Sequence, residues 1–238
     1  MAFTNSPLVS YTWISPYSSG RKGHNIDTIT IHCAAAQAAV ETLGRLFQTK
    51  AASANYGIGP DGRVGMYVEE RNRSWATSDG ENDRRAVTIE VACENKHPYR
   101  VNEAAYKTLL DLVTDICKRN GIKKLIWSTS KADRVNHKNG CNMTVHRDYE
   151  NKACPGQWLY ERHGQIAAEV NKRLTEDEEM IRWNKIEDVP EGYREMAQRY
   201  IDAGALKGKG NGEIDLSEDM IRVMEIMRRY FENMMEGK

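Results

Sequence analysis

Apolar residues recur along this chain with two periods. In 27–33 the alternation around Ile29, Thr30 and Ile31 predicts a buried strand that ends on His32. Residues 86–93 form an apolar run rich in β-branched side chains, which predicts a central strand. Residues 56–58 and 63–68 flank a Pro-Asp-Gly turn and read as a hairpin. Residues 124–127 read as one more short strand. Helical spacing appears in 38–49, in 159–174 and in 104–120, where Leu109, Leu112, Val113 and Ile116 share a face and Gly121 supplies the stop. Strands interleaved with helices predict an α/β fold, a central mixed sheet flanked by helices.

After Leu174 the pattern changes. Residues 175–179 read as a solvated acidic hinge. Asp188-Val-Pro190 leads into a helix over 191–203 that Gly204 ends, and a glycine-rich turn follows at 208–212. Ser217 is the expected N-cap of a last helix carrying Met220, Val223, Met224 and Met227 as a stripe. The chain therefore divides, as an expectation, into a domain over 1–174 and a small helical C-terminal domain over 175–238.

Charge sharpens that division. The 238 residues carry 34 Lys+Arg and 34 Asp+Glu, but 175–238 hold 10 and 16 of these, leaving 24 and 18 for 1–174. A basic first domain beside an acidic tail indicates two units, the first suited to an anionic polymer. No nucleic-acid partner is expected. No run approaches the roughly 18 apolar residues of a membrane span, and the start lacks the basic and apolar regions of a secretory signal. The chain is thus expected to fold in the cytoplasm, without membrane insertion. Its five cysteines form no paired motif, so a disulfide framework is not expected. Cys33, Cys93 and Cys117 read as small buried hydrophobes.

Two distant stretches hold the candidate chemistry. His32 closes the first strand. His146 follows an apolar run ending at Val145, and Cys154 stands before a Pro-Gly turn. Two imidazoles and a thiolate suit zinc, and three protein ligands leave a fourth position open, as in catalytic sites. A structural zinc site would need a fourth ligand; alternation turns the adjacent Cys33 to the other sheet face. Glu90 stands in 87–90 where alternation would bury an apolar side chain, and so is the candidate proton carrier. His24, His97 and His163 read as surface or loop packing. His137, nearest in sequence to the second ligand motif, is a candidate for the groove.

These residues carry a resemblance. His32, the run Ser53-Ala-Asn55-Tyr56-Gly-Ile-Gly-Pro-Asp-Gly62, Ala86-Val-Thr-Ile-Glu90, and His146 with Lys152-Ala-Cys154-Pro-Gly resemble the zinc-dependent N-acetylmuramoyl-L-alanine amidases, which include phage lysozyme-amidases and peptidoglycan recognition proteins. The resemblance covers about 27–174 and is strongest to endolysins of phages and prophages. It implies the same fold, Zn2+ as cofactor, and hydrolysis of the amide between the muramic acid lactyl group and L-alanine of peptidoglycan. It implies catalytic Glu90, and Lys152 as the cation beside the scissile carbonyl. Asn55, Tyr56 and Trp75 fall at positions of substrate contact, although Asn55 and Ala76 each replace a histidine frequent in relatives. The alternative is a binding module that holds peptidoglycan without cutting it; such relatives lack a zinc ligand, and none is missing here. The implied place of action is the bacterial wall after release. The tail is similar in element order to one S-layer homology repeat, departing at Ser217-Glu-Asp-Met220. That implies binding to a secondary cell-wall polymer, while the methionine stripe implies homo-oligomerisation.

Overall fold

A computed structural model describes residues 3–179, 181–210 and 212–235, with side chains of 177–179 left aside. The chain divides into two compact units, Met1–Leu174 and Thr175–Lys238.

In chain order the first unit contains β1 (Val9–Thr12), β2 (Ser18–Gly20), β3 (Thr28–Cys33), α1 (Val40–Thr49), β4 (Tyr56–Ile58), β5 (Val64–Met66), β6 (Asn72–Ser74), α2 (Gly80–Arg85), β7 (Ala86–Val91), α3 (Glu103–Asn120), α4 (Lys131–Val135) and β8 (Met143–Thr144). The helix α5 (Gly156–Glu179) follows. Six strands make a mixed sheet in the order β1-β5-β4-β7-β3-β8. Only β4 and β5 pair antiparallel, as the predicted hairpin; the other neighbours run parallel.

The two faces of this sheet differ in chemistry. Ile29 and Ile31 of β3, with Val87, Ile89 and Val91 of β7, join the core beneath α3 and α5, where Leu109, Leu112, Ile116, Leu159, Ile166 and Val170 are buried. Thr30, His32, Thr88 and Glu90 alternate with them and take the opposite face. Tyr56 and Ile58 follow the apolar face, so the intervening Gly57 turns to the other. A Cβ there would stand 2.7 Å from Leu43 Cδ1 of α1, which is why glycine is required. Helices therefore cover both faces. Asn102 caps α3 by accepting from Ala105 N at 2.9 Å, and Gly121 ends it at φ 69°.

Three expectations need correction. Residues 124–127 form no strand: the Leu125 N–H and C=O are satisfied by the Asn171 side chain, and the Ile126 N–H by Asn142 Oδ1. Side-chain amides have taken the place of a ladder. The acidic run at 175–179 is not a hinge but continues α5 to Glu179, consistent with glutamate's helix propensity. His163 is fully buried rather than on the surface.

The second unit contains β9 (Arg182–Trp183), α6 (Glu191–Asp202), β10 (Leu216–Ser217) and α7 (Glu218–Met235), with β9 and β10 antiparallel. Its core is Val189, Met196, Ala197, Leu216 and Ile221. Ser217 Oγ accepts from Met220 N at 3.2 Å, the expected cap. Of the methionine stripe, Met224 packs on this core, while Met220, Val223 and Met227 are exposed.

Candidate metal centre

The polar face of the sheet leads directly to the predicted ligands. His32 lies at the C-terminal end of β3, buried to 1% exposure. His146 opens a 3-10 turn, His146–Asp148, just after β8, which pairs with β3. Cys154 returns on the following loop. The ligand atoms of His32, His146 and Cys154 lie within 4.8 Å of one another, the one such group among the described residues. Cys154 Sγ is 3.4 Å from His32 Nδ1. A tetrahedral zinc with ordinary Zn–S and Zn–N lengths separates such atoms by about 3.6 Å. The imidazoles meet edge to face with centroids 5.2 Å apart.

Polar atoms converge here without partners. His32 Nε2, His146 Nε2 and Glu90 Oε2 are buried and make no hydrogen bond, which interiors rarely tolerate unless something satisfies them. Burial, then the neighbouring His32, lowers His146 to about 4, keeping it neutral and its lone pair available. The Cys33 N–H donates to Cys154 Sγ at 3.4 Å, which fixes the position of the sulfur beside His32. Cys33 itself follows Ile31 toward the apolar core, as alternation requires. At the strand end its thiol still meets Cys154 and Cys93, and the bond to Cys154 helps push it up to about 12. The two histidines and one cysteine thus fit a divalent metal with an open position.

Glu90 is the register partner of His32 across the parallel β3–β7 pair, with Oε1 3.9 Å from His32 Nδ1. Its side chain is one-fifth exposed, and burial raises its pKa. Lys152 lies on the loop between the second and third ligands, with Nζ 3.7 Å from Glu150 Oε2. A groove of about 460 Å³ is lined by His146, Glu150 and Lys152 together with Trp75, Ala76 and Arg84. Trp75, packed against Tyr17 with centroids 5.8 Å apart, holds one wall.

The remaining predicted contacts lie elsewhere. Asn55 is fully buried; its amide donates to the Val68 and Asn72 carbonyls and accepts from Thr88 N at 3.1 Å. Tyr56 pairs in register with Ile89 and so faces the apolar core, its hydroxyl donating to buried Glu70 at 2.7 Å. Neither can touch a ligand in the groove. His137 packs within its own loop, its Nδ1 2.9 Å from the Cys141 carbonyl. Full burial makes Asn55 and Tyr56 fold elements rather than substrate contacts, and His137 is not among the residues that line this groove.

Two features escaped the sequence. Glu150 sits one turn after His146, 3.8 Å from its Nε2, and the i, i+4 spacing was the available signal. Beneath the loop, Arg134 and Asp148 form a buried pair with contacts of 2.6 and 2.8 Å. Arg134 also stacks on Trp127 at 4.3 Å, and Val145 N donates to Asp148 Oδ2. This pair fixes the turn that presents His146. A second brace is polar: Asn82 joins Thr30, Thr144 and Tyr149 by hydrogen bonds of 2.8 to 3.2 Å.

Residues 22–157 match the family model described as N-acetylmuramoyl-L-alanine amidase. Among solved structures, a selenomethionine derivative of AmpD is 17% identical with a TM-score of 0.51, covering 70% of this chain and 99% of that one. The endolysin N-acetylmuramoyl-L-alanine amidase LysCS from Clostridium intestinale is 18% identical with a TM-score of 0.49, covering 68% and 93%. At 17% identity the likeness to AmpD concerns the fold alone. No curated protein matches the chain.

Proposed function

Because this chain belongs to the N-acetylmuramoyl-L-alanine amidase family, we propose that it is a zinc enzyme that cuts the lactyl–L-alanine amide of bacterial peptidoglycan. The observation that carries the reading is the convergence of His32, His146 and Cys154 within 4.8 Å, with Glu90 in register beside His32. When bound, zinc polarises the scissile carbonyl and acidifies water at the open position. The chain's own residues do the rest. His32, His146 and Cys154 hold the metal at the sheet end.

Glu90 takes a proton from the attacking water and delivers it to the L-alanine nitrogen as the C–N bond breaks and the new C–O bond forms. Burial raises its pKa and the charge of a bound metal would lower it, opposing pulls on a group that must both accept and release that proton. Lys152 Nζ, aligned by Glu150, faces the oxygen on which negative charge develops. The products are a muramoyl lactyl carboxylate and a free L-alanine amine. Trp75 and Arg84 line the wall along which the glycopeptide lies.

The biological reading is a phage or prophage endolysin, supported by the Lys152-Ala-Cys154-Pro-Gly motif. Residues 1–174 are the catalytic domain in this account. Residues 175–238 serve attachment, to a secondary wall polymer or to a second copy. Among the described residues no helix is long and apolar enough to cross a membrane. Digestion of purified peptidoglycan tests the reaction: new amino-terminal alanine with no new reducing sugar is expected. New reducing ends, or new amino termini other than alanine, would assign a different bond.

A further inference from the structure

The second unit fully buries five apolar residues with six more packed half-buried around them, a thin core for a unit of this length. Yet α7 leaves much larger apolar side chains uncovered. Met220, Val223, Met227, Tyr230 and Met234 are 40 to 60% exposed and recur at alternating steps of three and four, the spacing of a helix-pairing seam. Ile226 and Phe231, 66% and 51% exposed, widen the seam. Together these positions span an arc of roughly 140° at 100° per residue.

The charges keep to the opposite face. Arg222 bonds to Glu218, Glu225 to Arg228 and Arg229, and Arg228 also to Glu232, all within the helix at 2.6 to 2.8 Å. No ion crosses the seam; Asp219 alone stands at its N-terminal edge.

The two halves of the seam have different shapes. Toward the N-terminus, Met220, Val223 and Met227 line an apolar groove of about 480 Å³ with Tyr200 and Leu206. Toward the C-terminus, Tyr230, Phe231 and Met234 form an uncovered ridge. Groove and ridge lie on one rod, either side of Met227. Met220 and Met234 are separated by about 21 Å along the axis.

We propose that α7 pairs antiparallel with α7 of a second copy of this chain, about a two-fold axis near Met227, so that each ridge fills the other's groove. This inference does not rest on the amidase reading and selects between the two roles given above for the tail. A patch that carries both its own knob and its own hole closes on itself under two-fold symmetry. The seven exposed side chains offer on the order of 700 Å² per copy, close to the ~800 Å² per partner of a specific interface. Pairing also adds apolar burial to this thin core.

The test is the dissociation constant of the full-chain pair, read from the mass by light scattering over a dilution series down from about 50 µM, a range that brackets the micromolar Kd of a modest specific pair. The wild type is expected at twice 27.1 kDa. Met220→Glu and Met234→Lys, each at an exposed position, should each weaken pairing at least ~10-fold. Combining both in one chain should restore it, because only the antiparallel pair sets position 220 against 234 of the other copy. A wild-type monomer overturns the proposal, whether or not it binds wall polymer or anionic lipid vesicles. So do a dimer indifferent to both single changes and a double variant that stays monomeric with unchanged helical circular dichroism.

Discussion

His32 and Glu90 stand in register on adjacent parallel strands, with Nδ1 and Oε1 3.9 Å apart. Residues paired in this way share a sheet face, so the proposed metal ligand and the proposed proton carrier point to the same place without any loop having to order itself. The arrangement places both residues on adjacent interior strands of the six-stranded sheet. Rigid elements fix a catalytic constellation better than loops do.

Substitution of Cys154 tests the proposed ligand set. Cys154→Ser should leave the fold intact but weaken zinc by at least ~10-fold, because a hydroxyl is a poorer ligand than a thiolate. Metal content after dialysis checks this. Unchanged zinc in both Cys154→Ser and His146→Ala would remove the site from these residues.

Lys152 lies over half exposed on its loop and holds no ligand atom of the cluster. Lys152→Ala is therefore expected to retain zinc and lose turnover by roughly 10²-fold, the scale of one oxyanion donor. Steady-state rates on soluble muropeptide report the loss. A rate within twofold of wild type would deny Lys152 that role.

The Arg134–Asp148 pair is nearly without solvent contact, so removing one partner strands a buried charge. Asp148→Asn should destabilise the first unit by about 3–5 kcal/mol and loosen zinc through the His146 turn. Denaturant unfolding of the metal-free protein measures the first effect. A change below ~1 kcal/mol would show that water reaches the pair.

Buried His163 donates through Nδ1 to the Leu159 carbonyl at 2.8 Å and stacks on Trp127 at 4.5 Å. Burial lowers it to about 4, below the unfolded value of about 6.5. Between those values the unfolded chain binds more protons, so stability is full above pH ~6.5 and falls as pH drops toward 4. His163→Gln should flatten that acid limb in thermal unfolding. His146 adds to the limb in the same direction, so only part is removed. An unaltered slope would mean that His163 takes its proton within the fold.

Much of the site was legible because strand alternation is a strong signal. The apolar run through Ile29 and Ile31, and that through Val87 and Ile89, announced a buried sheet, and His32 and Glu90 stood out as polar residues on it. Alternation also held the reason why Tyr56 misses the groove. Its register with Ile89 turns it to the apolar face, but register is a pairing between distant strands and has no local signature. The place of Asn55 has no local signature for a related reason: its amide serves backbone groups of Val68, Asn72 and Thr88, contacts that only the assembled sheet creates. The Arg134–Asp148 brace is tertiary in the same sense. In 124–127 an apolar pattern suggested a strand, yet amide side chains from elsewhere satisfied its backbone.

The account turns on Glu90 as the proton carrier beside a metal it does not hold. The measurement that tests it most directly is single-turnover hydrolysis of a muropeptide by Glu90→Gln, with zinc content determined on the same sample. The account predicts one zinc per chain and a rate lower by roughly 10²–10⁴-fold. A fully zinc-loaded Glu90→Gln protein that turns over at the wild-type rate would contradict it.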